Sequence, residues 1–312
     1  MNNLEFRPVI KPFDEGFLLA GRIHKIHYAL YGNPRGEPVF FLHGGPGGGC
    51  TDDDARWFNP EKYLIMLHDQ RGSGKSTPLA EIEENTTQLL IDDIERLRKH
   101  LKVKTPFLIF AGSWGTTLAL LYAEQYPHSV SRIILRGIFT CSYAEQDYFY
   151  SKNGAAKYSP AAWSKLVKNI PPGNERIQNR IHKILESSED EDKFRLMRIL
   201  AEYEYSFFNL PPDELKKESS NIKNVYPEMR LNMYYQANRF FLTDNQIINN
   251  IQSIKTIPVT IVHGKNDLIC PPETAINLHK HLPNSKLVLA EAGHLSSDPE
   301  IKRALLSALD KL

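Results

Sequence analysis

Cysteine is scarce in this chain. Three residues in 312, Cys50, Cys141 and Cys270, give an odd count with no CxxC spacing. That excludes a disulfide framework and a zinc ribbon, and fits a reducing cytoplasm. Long hydrophobic runs are missing too: no stretch approaches the ~18 apolar residues a spanning helix needs. The opening MNNLEFRPVIKPF carries Glu5, Arg7 and Lys11, so no signal peptide is expected there. An excess of one charge is also absent, because 38 Lys+Arg against 37 Asp+Glu leave a formal charge of +1. Such a balance offers no electrostatic footprint for nucleic acid or an anionic membrane. Internal repeats and low-complexity tracts are lacking.

What remains is globular in character, with 41% hydrophobic and 24% charged residues. The length suits one large domain, or a core carrying an inserted subdomain. Up to about residue 139, short β-rich runs alternate with helical patterns. Residues 23–30, 38–42, 63–68, 106–111 and 132–136 read as strands. Leu89, Leu90, Ile94, Leu97 and Leu101 repeat at helical spacing over 85–101, with Thr86 and Thr87 as candidate caps. Residues 116–126 predict another helix. Residues 140–245 lose the strand signal and turn aromatic, charged and helical, which predicts an insertion. Its acidic run 186–192 reads as a solvated loop. Alternation resumes with strands at 258–263 and 286–289 and helices at 272–281 and 298–312. The pattern predicts an α/β core of mostly parallel sheet with helices on both faces, in two parts (1–139 and 246–312) around a helical cap.

Four segments can carry chemistry. In FLIFAGSWG, Ser113 sits between a buried run and a helix with Ala111, Gly112 and Gly115 around it, as a strained nucleophile elbow requires. The usual first glycine is here Ala111, one methyl larger. The run HGGPGGG at 43–49 follows a strand and lets backbone amides approach a developing negative charge. Gly45, with Gly44 as an alternative, and Trp114 would supply the oxyanion-hole N–H groups. Asp267 and His294 each follow a predicted strand, where a parallel sheet presents its ligands. The order Ser113, Asp267, His294 is that of an α/β-hydrolase triad. The segment ending Gly74-Lys75-Ser76 imitates a phosphate loop, but Asp69 stands where the Walker pattern needs its first glycine. His43 is expected to shape the glycine loop. His279 and His281 fall on different helix faces, so no metal site is expected.

HGGPGGGC (43–50), DQRGSGKSTP (69–78), GSWGTTLAL (112–120), RGIF (136–139) and the stretch 263–294 resemble the prolyl aminopeptidase (proline iminopeptidase) family. This is a serine peptidase family on the α/β-hydrolase fold. The resemblance implies release of N-terminal proline from short peptides by a monomer or homo-oligomer, without metal or organic cofactor. It also implies that cap carboxylates bind the substrate's free amine, one of them at Glu204. A second family glutamate falls at Asn232, where a neutral amide keeps a hydrogen bond and loses most of the Coulomb attraction. Glu202 can compensate only if its backbone is not helical. Cys270 stands where the family has a cysteine near the site, which implies inhibition by thiol reagents through obstruction. A carboxylesterase or amidase with a different cap is the rival reading.

Overall fold

The computed structural model describes residues 6–208 and 210–311. Residues 1–5, part of the stretch read for a signal peptide, and Leu312, the end of the last predicted helix, lie outside them. One sheet holds β1 (Asp14–Ala20), β2 (His24–Gly32), β3 (Glu37–Leu42), β4 (Tyr63–His68), β5 (Phe107–Gly112), β6 (Val130–Arg136), β7 (Val259–Gly264) and β8 (Ser285–Ala290). Their spatial order is β1-β2-β4-β3-β5-β6-β7-β8. β2 pairs antiparallel with β1 and β4, and every other pairing is parallel. All the predicted strands are present. β1 went unpredicted because Phe17 and Leu19, two of its three large apolar residues, face solvent on a sheet edge. β5 is buried at all six positions, which explains its unbroken apolar run.

The helices are α1 (Thr87–His100), α2 (Trp114–Gln125), α3 (Tyr143–Phe149), α4 (Pro160–Lys168), α5 (Ile177–Ser187) and α6 (Asp190–Tyr205). They continue with α7 (Pro212–Ser220), α8 (Ile222–Ala237), α9 (Gln246–Asn250), α10 (Pro272–His281) and α11 (Pro299–Asp310). Thr86 caps α1 by accepting from the Leu89 N–H, while Thr87 lies inside the helix and donates to the Phe240 carbonyl. α1, α2, α9 and α10 cover one sheet face. α11 and the turn around Trp57 cover the other.

Between β6 and β7 the chain leaves the sheet for α3–α9. Residues from Phe149 to Met233 form their own apolar cluster, and Tyr235, Phe240 and Leu242 pack back onto the sheet's cluster. The acidic run 186–192 is not a solvated loop. Glu186 ends α5 and holds Arg230 of α8 through two bonds of 2.9 and 2.7 Å. Asp190, Glu191 and Asp192 form the first turn of α6, where the helix dipole favours negative charge.

The chain passes from β3 to β4 on one side and returns to β5 on the other. Loops leaving β3 and β5 therefore diverge and open a crevice at the carboxyl ends of these strands.

Candidate active site

Ser113 occupies that crevice, between the last residue of β5 and the first of α2. Its backbone has φ 54° and ψ −126°, a conformation L-residues rarely adopt. Small neighbours are obligatory. A Cβ on Gly112 would come within 2.4 Å of Arg136 Nη2, and one on Gly115 within 2.2 Å of the Leu42 carbonyl. The Ser113 N–H donates to the Arg136 carbonyl at 2.8 Å, which ties the elbow to β6.

Three strand ends converge here. His294, after β8, has Nε2 3.1 Å from Ser113 Oγ and Nδ1 2.7 Å from Asp267 Oδ2. Asp267, after β7, accepts from the Ile269 and Cys270 N–H groups through Oδ1, both at 2.9 Å. Burial alone would push this carboxyl up. The adjoining imidazole of His294, by charge and by hydrogen bond, outweighs that and holds it below its ordinary value. An ionised Asp267 keeps the His294 proton on Nδ1 and leaves Nε2 as the acceptor, facing Ser113 Oγ and, at 3.3 Å, Arg136 Nη1. Arg136 is half-buried beside them and donates from Nη1 to the His294 carbonyl at 3.0 Å, fixing the loop that carries the imidazole.

The glycine loop runs along the same crevice, with Gly44 and Gly45 lining the cavity above Ser113. His43 organises it. Its ring is buried, donates from Nδ1 to the Gly44 carbonyl at 2.7 Å and accepts from the Gln70 N–H at 3.0 Å. Gly47, at φ 97°, lies so close to α8 that a Cβ would meet Glu228 Cα at 2.7 Å. Trp114 begins α2, so its N–H has no intrahelical acceptor. Its indole donates to Gln70 Oε1 at 2.8 Å. In the phosphate-loop imitation, amides of Cys50 and Lys75 point at the Asp69 carboxylate, at 2.6 and 2.9 Å. A carboxylate already fills the place a phosphate would take.

A cavity of ≈240 Å³ joins Ser113 and His294 to the helical roof. Glu204, Glu228 and Asn232 line it. Glu204 Oε1 accepts from Tyr150, and both its oxygens accept from Asn232 Nδ2, at 2.9 and 3.0 Å. The Asn232 amide is therefore directed at Glu204. Glu202 belongs to helical α6 and pairs with Lys165, so it cannot compensate as the sequence reading allowed. Glu145 also lines the cavity, but its oxygens are occupied by Thr140 and Ser142.

Glu228 is the carboxylate that sequence reasoning missed. It precedes Asn232 by one helical turn, and that i, i+4 spacing was the available signal. Tyr205 donates to its Oε2 at 2.5 Å. Burial pushes Glu228 up. Burial also pushes Glu204 up to about 8; Tyr150 opposes the shift, the nearby Glu228 adds to it, and Asn232 opposes it. Two acidic groups thus share a cavity whose wall also carries the Arg136 guanidinium beside the triad, and the charge of Glu228 disfavours that of Glu204.

Cys270 lies on the same wall, and burial raises its thiol well above the ordinary value. Thiol reagents should therefore react slowly at neutral pH. Bulky reagents should block turnover once attached. Cys270→Ala is expected to keep at least half the activity and lose the inhibition, as a comparison of residual rates after maleimide treatment would reveal.

Residues 37–300 match the family model described as alpha/beta hydrolase fold, which sets the class of protein. A solved α/β hydrolase from a Medee basin deep-sea metagenome library, MGS-M2, has a TM-score of 0.67 at 18% identity, covering 95% of this chain and 98% of that one. The proline iminopeptidase of Arabidopsis thaliana is 40% identical over 97% of this chain and 80% of its own length. A probable proline iminopeptidase of Leptolyngbya boryana is 39% identical over 97% of this chain and 95% of its own. The chain belongs to the proline iminopeptidase family.

Proposed function

We propose that the protein is a prolyl aminopeptidase, with Ser113 as nucleophile, His294 as general base and acid, and Asp267 as the group that orients and stabilises the imidazole. One observation carries this reading. A serine–imidazole–carboxylate chain opens into a small cavity whose wall also holds two half-buried carboxylates, Glu204 and Glu228. An ester hydrolase needs no such wall; a free ammonium near the scissile carbonyl does. Glu204 and Glu228 bind the prolyl ammonium, and Asn232 holds Glu204 in place.

The Ser113 oxygen attacks the prolyl carbonyl carbon as its proton passes to His294 Nε2. The Gly45 and Trp114 amides, with Gly44 as the alternative to Gly45, stabilise the oxyanion. Each donor of this kind is typically worth roughly 3–4 kcal/mol of barrier. The C–N bond breaks as His294 returns its proton to the leaving nitrogen. Water, deprotonated by the same imidazole, then opens the prolyl ester and frees proline and Ser113.

Residues 140–245 act as the cap on a core made of 1–139 and 246–312. All three thiols are unpaired, which supports a reducing compartment such as the cytoplasm. No helix among the described residues is long and apolar enough to cross a membrane.

The test is hydrolysis of Pro-, Ala- and N-acetyl-Pro-arylamides by one preparation. The free prolyl substrate should lead, with the acetylated one slower by about 10²-fold or more, because it brings no cation to the two half-buried carboxyls. A preference for the blocked substrate would overturn the exopeptidase assignment.

A further inference from the structure

A second, larger cavity of ≈470 Å³ adjoins the first. Phe208 and Glu228 belong to both walls, and the glycine loop divides them, with Gly44 and Gly45 on one side and Gly47 and Gly48 on the other. The first cavity takes the amino-terminal residue of a substrate. Whatever follows the scissile bond must leave past the shared wall. The second cavity is open, mixed in polarity and within the size range of small-ligand sites.

Its wall carries Glu218 on α7 and two charges on α8. Glu228 stands at the inner end, next to the reacting serine's cavity, and Lys223 stands five residues earlier on α8. Lys223 is the one basic side chain on this wall among the described residues. At 1.5 Å per helical residue the two positions lie about 7.5 Å apart along the axis. An extended peptide advances about 3.3–3.6 Å per residue, so two residues cover the axial part of that separation, while the helix turns the two positions about 140° apart around its axis.

We infer that the second cavity binds the leaving peptide and that Lys223 receives its terminal carboxylate, which sets a preference for tripeptides with a free C-terminus. The inference rests on the prolyl aminopeptidase reading and adds the other half of the substrate. The nascent amino group of the leaving dipeptide lies toward Glu228, and its carboxylate lies toward Lys223. Glu218, also on this wall, repels any carboxylate there, so the attraction for the terminal carboxylate comes from Lys223 alone and is reduced by Glu218. Because Lys223 is exposed, its ion pair with the peptide is a modest one and screens with salt.

The test compares kcat/KM for Pro-Gly-Gly and Pro-Gly-Gly-amide in wild type, Lys223→Met and Lys223→Glu. The acid-to-amide ratio is internal to each preparation, so loss of folded enzyme cancels. We expect a ratio of about three to five in wild type at low salt, falling toward one in 1 M salt. It should be close to one in Lys223→Met and below one in Lys223→Glu. A wild-type ratio of one, or a ratio that survives both substitutions, overturns the inference. Proline arylamide, assayed alongside, separates the two levels: if it is not hydrolysed, the prolyl aminopeptidase reading itself has failed.

Discussion

Ser113→Ala is expected to lower kcat for proline arylamide by roughly 10⁴-fold or more, the loss typical of removing a triad nucleophile. The fold should survive. Alanine keeps the Cβ, removes only the oxygen that meets His294 Nε2 at 3.1 Å, and leaves the strained φ of 54° as it was. Ser113→Gly should lose the same activity and yet be more stable, since glycine adopts a positive φ without strain; the gain is about 1 kcal/mol. Rate assays and thermal melts on the two variants therefore dissociate chemistry from stability. Appreciable turnover by Ser113→Ala would remove the serine from its role. Equal melting temperatures for the two variants would contradict the strain.

Glu204→Gln is expected to reduce kcat/KM for proline arylamide by about 10²-fold or more, because a buried ammonium loses a charged partner. N-acetyl-Pro-arylamide should change far less. Glu228→Gln should act in the same direction, and adding Asn232→Glu should restore part of the loss, since that position faces the same cavity one turn further on. The pH dependence has a definite sign. The Glu204 carboxyl is pushed up to about 8 by burial, so its charged, amine-binding form grows as pH rises toward that value. The rising limb of kcat/KM in wild type should therefore lose the part that Glu204 contributes when Glu204→Gln is made, as paired pH profiles would show. Stability moves the opposite way. A carboxyl whose folded value lies above its unfolded value of 4.5 binds an extra proton only when folded. That advantage fades as pH rises from about 4.5 to about 8. Glu204→Gln, which never ionises, should melt increasingly above wild type over this interval. A melting difference that is flat or reversed between pH 5 and pH 8.5 would contradict the buried, proton-binding state of Glu204.

Much of the core was legible because its signals are local. β5 reads as a buried strand since all its positions meet apolar neighbours, and α1 announces its inner face through Leu90, Ile94 and Leu97. Ser113 was legible because an elbow tolerates only small residues where Arg136 and the Leu42 carbonyl press in. β1 was not, because this edge strand turns Phe17 and Leu19 toward solvent and only Leu18 and Ala20 inward, so its apolar run shows no hydrophobic-in, polar-out alternation. The acidic run misled because composition alone cannot separate a loop from two helix ends. Glu228 stayed hidden for a related reason: the helix face of a glutamate is recorded in the sequence, but the surface opposite that face is not.

The sequence by itself determined the alternating core, the order of serine, carboxylate and imidazole, and the membership of a peptidase family, since each depends on neighbours a few residues apart. Only the tertiary structure decided that Asn232 turns to Glu204 and that Glu228 shares the reacting cavity. Those relations join α6, α8 and the glycine loop across large sequence separations, where packing alone fixes which side chain meets which.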